Sequence, residues 1–109
     1  MDDLTDERIK KVNSPKNRCG DRHVVVYKDE DEQWAIVALD WDGKPGLAIR
    51  WFWNKLGFPI SYGHPTWFII PIELYDVILN GLPLEVSFKN KINRFLAGEI
   101  TGNELKEGV

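Results

Sequence analysis

The chain predicts an α+β fold, a four-stranded antiparallel meander followed by one or two helices packed on one face. Three observations carry that prediction. Strand-like apolar runs separated by turn-rich connections lie between His23 and Ile70. After Pro71 the apolar residues recur at helical spacing instead. A length of 109 residues, 43% hydrophobic and 28% charged, suits a single globular domain with one core.

Residues 1 to 22 are polar and of mixed charge, and Asn13-Ser14-Pro15-Lys16-Asn17 breaks any pattern begun at Leu4, so this segment reads as a flexible arm or a short frayed helix. A single α+β domain is expected over residues 23–98. Its first strand is His23-Val24-Val25-Val26-Tyr27, dense in β-branched residues. Asp29-Glu30-Asp31-Glu32 follows as a solvated hairpin loop. The second strand, Trp34 to Trp41, puts Ala35, Val37, Leu39 and Trp41 on one face and Trp34, Ile36 and Ala38 on the other. Both faces are apolar, so both look covered, or one is covered and one is sticky.

Asp42-Gly43 signals a hairpin, with Pro45-Gly46 expected to lengthen the connection. Leu47 to Trp53 forms the third strand, with Leu47, Ile49, Trp51 and Trp53 on one side and Ala48, Arg50 and Phe52 on the other. Two glycines and two prolines between Gly57 and Pro65 predict a shaped loop that carries Phe58, Ile60 and Tyr62. Thr66 to Ile70 is the fourth strand. A helix then starts near Pro71, with Leu74, Val77 and Ile78 at helical spacing and Gly81 as its C′ residue. Val86, Phe88, Ile92, Phe95 and Leu96 predict a second amphipathic helix ending near Gly98. The tail, residues 99–109, has two glycines and few apolar side chains and reads as mobile.

Charge and cysteine content narrow the function classes. Fourteen Lys and Arg against seventeen Asp and Glu give a net charge of -3, which argues against strong nonspecific nucleic-acid binding. Cys19 is the single cysteine, which removes any intramolecular disulfide and every zinc site needing two thiolates, and fits a reducing compartment. The acidic start of the chain carries no basic-then-apolar leader pattern, and no segment has the roughly 20 apolar residues that span a bilayer. A cytoplasmic protein without membrane partners is expected.

Few residues could carry catalysis. His23 and His64 are the only histidines, and no nucleophile-elbow, zincin, phosphate-loop or dinucleotide spacing occurs. Asp40 and Asp42 flank Trp41 on one strand face, but Asp42-Gly43 already has a turn role and no third carboxylate adjoins them. No catalytic residue, metal or cofactor is therefore assigned, and a binding protein is favoured over an enzyme.

Five tryptophans, all between Trp34 and Trp67, are the most informative feature. Each buried indole brings an N–H donor to satisfy, and so small a core cannot take all five. Aromatic rings interleaved with cations can hold single-stranded nucleic acid, since bases stack on rings while cations meet phosphates. Arg50, Trp51, Phe52, Trp53 and Lys55, with Trp34, Trp41 and Trp67 on neighbouring strands, form this constellation, and Arg50, Trp51, Trp53, Lys55 and Trp34 are its candidate ligand-binding residues. Core packing, a self-association interface and a ligand surface all remain open for it. The rival reading is a small-molecule pocket between the sheet and the 57–65 loop, with Tyr62, His64 and Asp40 as polar participants.

The step Ile49-Arg50-Trp51, and the short strand running into a helix at Trp67-Phe68-Ile69-Ile70-Pro71-Ile72-Glu73, resemble the positive-cofactor transcriptional coactivator family and its bacterial single-stranded-DNA-binding relatives. The resemblance covers residues 24–82. It implies a dimer gripping a single strand on a curved sheet, with Arg50, Trp51 and Lys55 near the nucleic acid. Ala48 stands where that family has an acidic residue, and His64-Pro65 where it has a basic one. The chain also looks like the small orphan α+β dimers carried on mobile gene cassettes of bacterial integrons, a likeness that implies binding over housekeeping catalysis. The expectation is a homodimeric binding module, its partner single-stranded nucleic acid or a small apolar ligand.

Overall fold

The computed structural model describes residues 3–19, 23–54 and 56–107. A short helix α1 (Asp6–Lys10) precedes the strands β1 (Val24–Asp29), β2 (Trp34–Trp41) and β3 (Lys44–Trp51). A small ribbon, β4 (Ile60–Ser61) with β5 (His64–Pro65), interrupts the chain before β6 (Phe68–Ile69). A 3-10 turn at Ile72–Leu74 leads into α2 (Tyr75–Gly81), α3 (Val86–Leu96) and α4 (Gly102–Glu107). The main sheet is antiparallel in the order β1-β2-β3-β6, the meander that the sequence predicts.

Turn chemistry sets the register. Asp42 and Gly43 take φ values of 53° and 78°, the left-handed pair that a two-residue hairpin needs, so Trp41 pairs directly with Lys44. The ladder continues without a break through Pro45 and Gly46, which therefore belong to β3 and do not extend the connection. Pro45 is tolerated because alternation along the ladder turns its missing N–H outward, and β6 pairs only with Ala48 and Ile49.

Period-two alternation gives the sheet two apolar faces, and each is covered. On one face Val24, Val26, Ile36, Ala38 and Leu47 pack against Leu79, Ile92, Phe95, Ile100 and Leu105 from the helices. We call this the helical face. On the other, Ala35, Val37, Leu39 and Ala48 pack against Leu4, Ile9, Cys19, Phe52 and Trp67. The N-terminal segment is the cover there: of the two readings of residues 1–22, the described part takes the short helix, but packed on the sheet and not as a flexible arm. Leu4 and Ile9 are completely buried. Thr5 caps α1 by accepting from the Arg8 amide, and Trp67 donates its indole N–H to the Val12 carbonyl at 2.7 Å.

The expected mobile tail is likewise replaced by structure. Gly98, at φ 79°, ends α3 as its amide donates to Phe95 and the Glu99 amide to Arg94. Thr101 and Glu104 then cap α4 reciprocally, side chain to amide in both directions. Ile100 and Leu105 are buried in the helical-face core.

The helix after Pro71 differs from expectation in its inward face. Because Ile72–Leu74 is wound as a 3-10 turn, the stripe shifts to Tyr75, Ile78 and Leu79, leaving Leu74 and Val77 exposed. Gly81 sits inside the last turn of α2 and Leu82 is the C-cap. Among the described residues no helix is long and apolar enough to cross a membrane.

Candidate binding surfaces

The helical face runs out of cover at its far end. Trp34 lies opposite Trp51, Ile49 opposite Phe68, and Trp51 bridges to Phe58 through a reciprocal pair of backbone hydrogen bonds. Residues directly opposite one another in antiparallel strands share a face, so these rings stand side by side. The Trp51 and Trp53 centroids are 5.6 Å apart, those of Phe58 and Phe68 5.3 Å, and those of Tyr27 and Trp34 5.5 Å. Trp53, Phe58 and Phe68 remain 48%, 49% and 43% exposed, and Ile60 and Ile69 are exposed nearby in sequence. Of the five tryptophans only Trp67 is fully inside.

The border of this surface is acidic. Asp29 pairs with Trp34 across the sheet, and the Trp53 indole donates to the Glu32 carbonyl at 3.0 Å, which ties the acidic hairpin to the rings. Lys28 points to the opposite face, where it meets Asp6 at 3.3 Å. Lys55 lies outside the described residues.

Arg50 is not part of the aromatic surface, which corrects its expected place beside Trp51. The sequence put it on the strand face opposite Trp51, and that face is the one closed by the N-terminal segment. Its side chain is only 1% exposed. The guanidinium donates to the carbonyls of Pro59 at 3.1 Å and Thr66 at 2.6 Å, and to that of Leu56, so one cation gathers the 56–66 segment against the sheet. It also lies 4.9 Å from the Phe52 ring centroid. Burial and the neighbouring charge of Arg8 pull its pKa down to about 10, so it is still charged at neutral pH. Gly57 makes the latch possible: its φ is 66°, and a Cβ there would stand 2.2 Å from the Trp51 carbonyl oxygen and 2.6 Å from Arg50 Nη2.

Tyr62 and His64 are brought together, but away from the tryptophan surface. Tyr62 lies in the turn of the β4–β5 ribbon and His64 directly after it, where Tyr62 and Gly63 again carry positive φ. Tyr62 is fully exposed at the rim of a cleft of about 550 Å³, which His64, Arg18, Asn17, Trp41 and Trp67 also line. Asp40, the third expected participant of a pocket here, lines a different cavity of about 290 Å³ beside Phe95 and Ile100. Asp42 pairs instead with Arg18 at 3.7 Å. Among the described residues no group of three or more His, Cys, Asp or Glu side chains is placed to hold a metal ion.

Sequence reasoning singled out Phe58 as a loop ring without placing it beside Trp51, and passed over Phe68 as a surface ring and Arg8 as a partner of the sheet. For Phe68 the signal was available, since alternation from Ile70 places it on the same face as that residue. Compared with known proteins, the chain matches no family model, no curated protein and no solved structure.

Proposed function

We propose that this protein is a non-enzymatic binding module that pairs with a second copy of itself through the aromatic end of the helical face. The observation that carries the reading is the row of half-open rings, Trp34, Trp51, Trp53, Phe58 and Phe68, with Asp29 and the Glu32 turn on their border. Interface cores are enriched in aromatic residues and depleted of charge, and closed two-fold pairing is the commonest assembly of soluble chains. Single-stranded nucleic acid would find the same rings, but Arg50, the cation expected for its phosphates, is turned to the other face. Of the two cations expected for that reading, the other, Lys55, lies outside the described residues. The single cysteine supports a reducing, cytoplasmic setting for the module.

Light scattering on the wild type and on Phe68→Asp tests the reading. The wild type is expected at twice the mass of 12.6 kDa and the variant, still folded, at the mass of one chain. Wild-type protein at one-chain mass at micromolar concentration, or quenching of its tryptophans by a single-stranded oligonucleotide at low salt, would turn the assignment elsewhere.

A further inference from the structure

The face closed by the N-terminal segment holds a feature that the self-pairing surface does not use. Among the described residues Arg50 is a fully buried cation with no carboxylate partner: its hydrogen bonds go to neutral carbonyls, and its Nε finds no acceptor among them. Beside it, Arg8 likewise makes no ion pair among the described residues. Its Nη atoms donate to the Gln33 side-chain oxygen at 3.2 Å and to the carbonyls of Asp3 at 3.3 Å and Phe52 at 2.9 Å. Both guanidinium carbons sit over the Phe52 ring, at 4.9 Å and 5.5 Å from its centroid, so two like charges share one apolar platform.

Buried charges are ordinarily paired, because desolvation penalises an isolated ion heavily and a second like charge adds to the penalty. Here the pair is not isolated from solvent space. Arg8, Arg50 and Lys11 together line a cleft of about 190 Å³, completed by Val12, Phe52, Leu56 and Pro65. Three cations and no acid face one small space.

We propose that this cleft is a binding site for a compact oxyanion, the phosphate or carboxylate group of a small ligand, held by Arg8, Arg50 and Lys11. The Arg50 Nε is the donor left open for such a group, and charge-assisted bonds to phosphate or carboxylate are about twice as strong as neutral ones. At about 190 Å³ the space is below the 300–1,000 Å³ usual for a whole drug-sized ligand, so it takes an anionic group alone. The remainder of a larger ligand has somewhere to lie: a cleft of about 540 Å³ shares Lys11, Val12 and Pro65 with the anion site and adds Lys16 and His64. The site lies on the opposite side of the sheet from the proposed self-pairing surface, so either assignment can fail without the other.

Thermal unfolding of the full chain in inorganic phosphate, acetate and chloride at matched ionic strength, with calorimetric titration of the same anions, tests the site. Phosphate, acetate or both should raise Tm saturably by about 4 °C or more over chloride, since a ligand of the native state stabilises by mass action. Whichever acts identifies the group bound. Lys11→Gln, an exposed substitution that leaves the fold intact, and Arg8→Gln should each weaken binding by about tenfold or more. Equal Tm in all three salts, or a rise that is unchanged in both variants, overturns the proposal.

Discussion

At the scale of single residues, the latch formed by Arg50 and Gly57 decides how the 56–66 segment is held. Gly57→Ala places a methyl group 2.2 Å from a main-chain oxygen at a φ closed to most residues, so it should cost about 1–3 kcal/mol in urea unfolding. Arg50→Met removes a costly buried charge but strands the carbonyls of Leu56, Pro59 and Thr66, so a net loss of about 2 kcal/mol or more is expected by the same measurement. The sequence showed that Arg50 and Trp51 point to opposite faces. It could not show which face was shut, because that depends on a segment some forty residues upstream packing over β2 and β3.

At the scale of elements, the strands and α3 were legible because their periodicity runs over six to eleven residues and their turns have unambiguous chemistry. At the termini, α1 was readable only as one of two alternatives and α4 not at all, because five or six residues hold too little pattern. Their capping residues were the available signal: Thr5 before Asp6-Glu7, and Thr101 three residues ahead of Glu104. Thr101→Ala should lower stability by about 1 kcal/mol, read as a shift of the denaturant midpoint at constant slope. A cleaner test of the N-terminal cover is Ile9→Ala, which should cost about 2–5 kcal/mol from a site with no exposure. An arm detached from the core would show no such loss.

At the scale of the whole molecule, a sheet covered on both faces has one uncovered end, and the tryptophan count pointed to it before any geometry did. The surplus of indoles was readable; its division among core, cleft and open surface was not, since Trp67 and Trp41 meet the same N-terminal side of the sheet yet one is buried and the other lines a cleft. The loop rings also separate. Phe58→Ser should weaken self-association by about 1 kcal/mol or more through lost aromatic burial, whereas Tyr62→Ser should leave association and Tm unchanged, because Tyr62 stands wholly in solvent at a ribbon tip on the other side.

The most direct measurement is acrylamide quenching of variants that keep Trp51 or Trp53 as their one indole, followed through a dilution series alongside sedimentation velocity. Self-pairing through the aromatic end predicts that both rings are shielded while the chain sediments as a dimer and become accessible together as it dissociates. Rings equally accessible at every concentration, beside a chain that never exceeds one copy or that dimerises without shielding them, would contradict it.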